Sequence, residues 1–296
     1  MNPVLTIRKL QVKKSNKSIL DIKEEIAISS GDNVAVLGEN GAGKTTLINA
    51  ILGEIDFEGE IIKHFQKKDC GIVFQDNAYN DLMKVYELIE LVLPLRKEAL
   101  THFIESYDLK DLKKKYIKDL SGGEKQRLTL SLVLESEKNI YFFDELTSGL
   151  DYKKRLALLA MMKKKTIAGT VLNVTHYFDE IENWATKILM LKQGKLIFFG
   201  SNEDFFAKFK HYSVVKVEYN QLENFNKSVM ENVQTADTGD GIAFICPNHD
   251  IQVDVKKILK NNDVVYSVIK QNVYTSYLMA YAANEKSNHK MTEVKK

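Results

Sequence analysis

Residues 33–52 read NVAVLGENGAGKTTLINAIL: a compact apolar run, a glycine-rich stretch, and a segment of helical character. That order is strand, loop, helix. Residues 38–45 fit G-x-x-x-x-G-K-[ST], and the glycines let backbone N–H groups approach phosphates that a side chain would hold away. The helix beginning near Lys44 aims its positive dipole end at the same place. Gly38, Glu39, Asn40, Gly41, Ala42, Gly43, Lys44, Thr45 and Thr46 are therefore the candidate phosphate cradle. In such a cradle Lys44 reaches the β and γ phosphates of a nucleotide and Thr45 holds magnesium through its hydroxyl.

Residues 4–36 alternate apolar and polar in pieces that close on Ser30-Gly31-Asp32, which predicts short antiparallel strands. IIKHF (61–65) and CGIVF (70–74) read as strands, and residues 77–134 turn helical around a loop at 118–123. NIYFFDE (139–145) and GTVLNVTH (169–176) are further buried strands flanking a helical segment at 152–165. KILMLKQGKLIFFG reads as a hairpin turning at Gln193-Gly194. Buried strands separated by helices predict an α/β fold with a parallel core. The last third has the order strand 212–219, helix 222–230, strands 233–237 and 242–247, helix 251–262, strand 264–270. That is βαββαβ, the ferredoxin-like order. A closing helix puts Val273, Tyr274, Tyr277, Leu278 and Tyr281 on one packing face.

At 296 residues, and roughly 150 per domain, the chain accommodates two domains. Only two of its 15 glycines, Gly239 and Gly241, fall in the last 96 residues, so the two parts differ in kind. The expected division is residues 1–205 with a helical subdomain at about 77–134, an accessory α+β domain at 206–284, and a disordered tail at 285–296. A net charge of +2 supplies no broad positive field, so nucleic acid is not an expected partner. The longest run without Asp, Glu, Lys or Arg, residues 271–284, is fourteen long, short of the ~20 that a bilayer span needs. Two cysteines, Cys70 and Cys246, form no metal or disulfide pattern, and the reducing cytosol is the expected compartment.

Asp144 closes an apolar strand beside the phosphate loop, where it suits the magnesium shell. Glu145, one residue on, suits a general base for the attacking water. Taken alone, acidic residues ending a buried strand also read as solvent contacts, and His176 as a structural histidine. The motif LSGGEKQR at 120–127 narrows the class, because Ser121, Gly122 and Gly123 open a helix and so offer another anion site.

With VFQD at 73–76, SGLD at 148–151 and VTHYFDE at 174–180, the chain resembles the ATP-binding subunit of an ABC transporter over residues 4–205. The resemblance implies two cassettes, identical or related, paired head to tail around ATP and Mg2+. Each nucleotide would lie between one copy's phosphate loop and the other copy's Ser121, Gly122 and Gly123. It implies Glu145 as general base, His176 on the γ phosphate, and Gln75 on magnesium and the water. Asp151 would reach across the dimer. It also implies a separate transmembrane permease subunit, received by the helical subdomain and the Gln75 loop, and a peripheral position on the cytoplasmic face of the cell membrane. Leu82, Met83, Val85 and Tyr86 are candidates for that contact, or for core packing. The last 90 or so residues look like those of ABC-2-type exporters, which implies export of a drug, antimicrobial peptide or other amphipathic molecule. The alternative is a soluble ABC ATPase of DNA repair or translation. Two features depart from the family. Leu146 stands where proline is usual, and no aromatic precedes Phe57 to stack on adenine, which leaves Val12, Lys13 or Lys14 to cover the base.

Overall fold

A computed structural model describes residues 3–15, 17–74, 79–182, 184–222, 230 and 233–293, with side chains to residue 284. The chain divides into two compact units, Met1–Phe199 and Gly200–Lys296.

The first unit is built on one curled sheet. Strand β1 (Pro3–Lys14) pairs antiparallel with β2 (Lys17–Ile22), β3 (Ile26–Ser29) and β5 (Glu58–Lys63). Alternation in these strands buries Leu5, Ile7, Leu10, Leu20, Ile22, Ile26 and Ile28 on one side. The remaining strands are β4 (Asn33–Leu37), β6 (Cys70–Val73), β7 (Ile140–Asp144), β8 (Thr170–Val174), β9 (Lys187–Lys192) and β10 (Lys195–Ser201). Along β9-β4-β8-β7-β6 every neighbouring pair is parallel. β7 and β8 are buried at every residue, as strands covered on both faces must be. β9 and β10 are neighbours joined at Gln193 (φ 49) and Gly194 (φ 77), the two positive dihedrals that a tight hairpin turn requires.

Helix α1 (Lys44–Leu52) covers one face of this sheet. Its Leu47, Ile48 and Ile51 join a core with Phe142, Leu172 and Val174. On the other face Tyr141, Phe143 and Val171 pack with α2 (Val85–Val92), α3 (Lys97–Ser106), α4 (Gly122–Glu135) and α5 (Tyr152–Lys165). The successive residues Tyr141, Phe142 and Phe143 thus serve opposite cores, which fixes the register of β7. The helical stretch predicted for 77–134 is interrupted at Leu93–Arg96, because Pro94 cannot continue α2 and pushes the residue before it to an extended conformation. A short helix, α6 (Phe178–Ile181), follows β8.

In the second unit α7 (Asn202–Lys208) precedes a four-stranded antiparallel sheet of β11 (Ser213–Glu218), β12 (Gln234–Asp237), β13 (Gly241–Cys246) and β14 (Ser267–Lys270), in the order β12-β13-β11-β14. Helix α8 (His249–Asn261) lies between β13 and β14, and α9 (Val273–Glu293) closes the chain. α8 packs on one face of the sheet through Val255 and Leu259, and α9 on the other through Leu278 and Ala282. The helix predicted over 222–230 falls largely outside the described residues. The unit begins at Gly200 rather than 206 because α7 belongs with it: α7 contacts α9, and Gln271 donates to the Phe206 carbonyl at 3.0 Å. Residues 285–293, expected as disordered tail, continue α9. No glycine or proline follows Pro247, and Glu285, Lys286, Lys290 and Met291 are good helix formers.

Candidate nucleotide-binding and catalytic site

The loop between β4 and α1 is shaped by its glycines. Gly43 caps α1 at φ 100, a left-handed conformation that only glycine adopts cheaply. A Cβ on Gly38 would lie 2.5 Å from the Leu191 carbonyl oxygen, so the backbone passes where no side chain fits. Together with Ile19, the loop residues Asn40, Gly41 and Gly43, the first α1 residues Lys44, Thr45 and Thr46, and Glu145 just after β7 line a cavity of about 460 Å³. That volume suits a small-molecule ligand.

Lys44 is 5% exposed, and its Nζ donates to the carbonyls of Gly38 (2.8 Å) and Glu39 (3.0 Å). Burial pulls its pKa below the ordinary lysine value, against the opposing pull of Glu145, Asp144 and Glu39. A desolvated cation held by neutral carbonyls is a group that gains from an anion. Asp144, at the end of β7, is also buried, and its Oδ2 accepts from Thr45 Oγ1 at 2.7 Å. Its Oδ1 is buried without a hydrogen-bond partner. Burial raises the Asp144 pKa, while the Thr45 hydroxyl lowers it. An orphaned carboxylate oxygen beside a threonine hydroxyl fits a hard divalent cation. Among the described residues no group of three or more His, Cys, Asp or Glu could hold a metal unaided. The fit is therefore to magnesium, which takes one or two protein oxygens and draws the rest from phosphate and water.

Glu145 follows β7 with φ 53, and its N–H donates to the Val174 carbonyl at 3.0 Å. A left-handed non-glycine at this position is stored strain of the kind found at working sites. His176 comes just after the adjacent strand β8, and its Nε2 lies 2.6 Å from Glu145 Oε1. Parallel pairing of β7 with β8 delivers both side chains to one end of the sheet.

Lys44, Thr45, Asp144, Glu145 and His176 thus meet at one place. Gly38, Glu39 and Ala42 belong to the loop without lining the cavity, and Gly38 and Glu39 supply the carbonyls that hold Lys44. Ser121, Gly122 and Gly123 stand apart from the cavity lining, at the start of α4. There Ser121 and Glu124 form a reciprocal capping box, with bonds of 3.3 and 2.8 Å. Asp151 likewise caps α5, accepting from the Lys154 N–H at 3.0 Å. Gln75 lies outside the described residues. Ile19, on β2, is a lining residue that the sequence reading did not single out. Of the candidates named for the base, Val12 is buried and Lys13 is paired with Glu58 at 2.9 Å. Three of the six residues of KSILDI are aliphatic, so nothing in the sequence sets Ile19 apart from Leu20 and Ile22.

Fold and loop together define a P-loop nucleotide-binding protein. Residues 24–148 match the ABC transporter family, and the chain carries the ATP-binding domain of that family. It is 30% identical over 216 residues to a Methanosarcina mazei protein described as an ABC transporter ATP-binding protein, an alignment taking in 66% of this chain and 43% of that one. The chain therefore spans less than half the length of that relative. It is 24% identical to the spermidine/putrescine import ATP-binding protein PotA of Pasteurella multocida, covering 95% of this chain and 82% of the relative. It is 29% identical to the sulfate/thiosulfate import ATP-binding protein CysA of Bacillus cereus, covering 75% and 72%. In fold it is similar to a solved ATP-binding subunit of an ABC transporter, with TM-score 0.62 at 21% identity over 70% of this chain and 93% of that one. It is similar also to cbiO1 of Clostridium perfringens, part of the ABC transporter complex cbiONQ, with TM-score 0.57 at 24% identity over 70% and 92%.

Proposed function

We propose that the chain binds ATP with Mg2+ at this cavity and hydrolyses it to drive an ABC transporter. The observation that carries the reading is the convergence of a buried Lys44, an orphaned Asp144 oxygen and the Glu145–His176 pair at one phosphate loop. In this role Lys44 and the loop N–H groups bind the phosphates, and Thr45 and Asp144 hold the magnesium ion. When bound, that ion neutralises charge developing on the phosphates. Glu145 takes the proton of the attacking water, and His176 orients Glu145 and meets the γ phosphate. Gln75, Ser121, Gly122, Gly123 and Asp151 take their roles from the family resemblance. The last four would complete the site of a second cassette across a head-to-tail dimer.

Among the described residues no helix is long and apolar enough to cross a membrane. A separate permease subunit is the proposed partner, and the cytoplasmic face of the membrane is the proposed location. The export of an amphipathic molecule rests on the resemblance of the C-terminal residues alone. Uptake is the second reading, favoured by the import names of the PotA and CysA relatives. Co-purification with a membrane subunit, followed by ATP-driven flux measured in vesicles of known orientation, separates the two directions. Sedimentation with ribosomes or DNA in place of a membrane subunit would contradict the transporter reading. Absence of Mg2+-dependent ATP turnover in the purified complex would contradict the ATPase itself.

A further inference from the structure

Glu180 lies outside the nucleotide cavity, yet it is 3% exposed and both its carboxylate oxygens are engaged. Thr147 Oγ1 donates to Oε1 at 2.6 Å, and Thr175 Oγ1 donates to Oε2 at 2.7 Å. Thr147 stands two residues after Glu145, and Thr175 immediately before His176. An ionised carboxylate only accepts, so both hydroxyls are oriented toward it. The Thr175 oxygen is then left to accept the Tyr177 N–H, which it does at 3.0 Å. Arg155 backs the arrangement: its Nη2 donates to Asp179 at 2.8 Å, its Nε lies 3.6 Å from Glu180 Oε1, and its guanidinium sits 4.0 Å from the Tyr177 ring centroid.

Burial raises the Glu180 pKa, and the two threonine hydroxyls and Arg155 oppose it. A buried carboxylate is costly unless its bonds are complete, and apolar packing would serve stability as well. What the carboxylate does that apolar packing cannot is join two segments directionally. These are the segments that leave neighbouring strands β7 and β8 bearing Glu145 and His176. The first is held from its other side too, where Gln126 Nε2 donates to the Ser148 carbonyl at 3.3 Å. Glu145 keeps its left-handed φ of 53 only while its surroundings impose it, and these bonds are such surroundings.

We propose that Glu180 is a positioning residue, which through Thr147 and Thr175 holds Glu145 and His176 in their 2.6 Å contact. The inference rests on the roles proposed above for Glu145 and His176. Thr147→Val and Thr175→Val each remove one hydroxyl at nearly constant volume, and Thr147→Ser keeps it. Steady-state turnover, ATP affinity by direct titration and Tm are measured on each variant. Each valine variant loses about tenfold or more in kcat, a fraction of what general acid–base groups supply. ATP affinity stays within about twofold, because the lost bonds act on the reacting geometry rather than on binding. Thr147→Ser recovers kcat to within about threefold, and the double valine variant is no worse than the poorer single one, as members of one network behave. A lowered Tm with unchanged kcat in the folded fraction would overturn the proposal, and so would equal losses in kcat and affinity. If Glu145→Gln leaves turnover intact, the base assignment has failed and the positioning role with it. If Glu145→Gln abolishes turnover while the valine variants match wild type, the positioning role alone has failed.

Discussion

Lys44 and Asp144 are opposite charges taken out of water at one end of one sheet, each held mainly by neutral partners. On the proposed function, nucleotide with magnesium satisfies both. The cavity lining is less selective, since Ile19 offers an aliphatic surface and no aromatic ring lines it among the described residues. GTP should therefore compete with ATP to within about threefold, because aliphatic contact offers no hydrogen bond to the purine edge groups that distinguish the two bases. A competition titration showing strong ATP preference would contradict this. Cys70 tests the core beside β7. Burial pushes its thiol up to about 11, so the reactive thiolate is scarce at neutral pH and grows only as pH climbs toward that value. At pH 8 alkylation of the folded chain should run about 200-fold slower than that of a free cysteine, and reach the free rate on unfolding. Alkylation at the free rate in folded protein would show the thiol exposed. The residues contiguous in one motif were legible in the sequence, because a phosphate loop is a local structure. Ile19 and the Thr147–Glu180–Thr175 link were not, since strand adjacency and burial bring them to the site. Glu180 lies in VTHYFDE at 174–180, where nothing in the sequence distinguishes a buried glutamate from an exposed one.

The elements follow local chemistry where that chemistry is strong. Helix α1 starts at left-handed Gly43 and ends at left-handed Gly53, whose N–H returns to the carbonyls of Asn49 and Ala50. A Cβ on Gly43 would meet Leu20 Cδ1 at 3.0 Å in a backbone conformation that alanine resists. Gly43→Ala should therefore cost about 1 kcal/mol or more in stability, and weaken nucleotide binding by displacing the start of α1. Thermal melts with and without nucleotide check both parts, and an unchanged melt in each would contradict the role given to this turn. Sequence periodicity found the parallel strands because burial on both faces leaves continuous apolar runs. It read past the break at Pro94, where the flanking residues keep helical spacing. It also took composition at 285–296 for disorder, although helix-forming residues there extend α9 to Glu293.

At the scale of the whole chain, the uneven glycines mark a division of labour. The first unit uses them in the phosphate loop, in sharp turns and, at Gly71 and Gly169, where the Tyr141 ring leaves little room for a Cβ. The second unit opens at Gly200 and otherwise keeps only Gly239 and Gly241, at the ends of the β12–β13 connection. Each unit buries cores of its own, so removing residues 200–296 should leave a folded first unit that still binds ATP. Loss of nucleotide binding on truncation would contradict that independence. The proposed function couples a chemical step at Glu145 to ATP binding. It is tested most directly by measuring turnover and nucleotide binding together in wild type and Glu145→Gln, with Mg2+ present and with it chelated. Mg2+-dependent turnover should fall at least ~100-fold in Glu145→Gln, with ATP retained on a chain trapped in an ATP-bound dimer. Turnover in Glu145→Gln equal to wild type would contradict it.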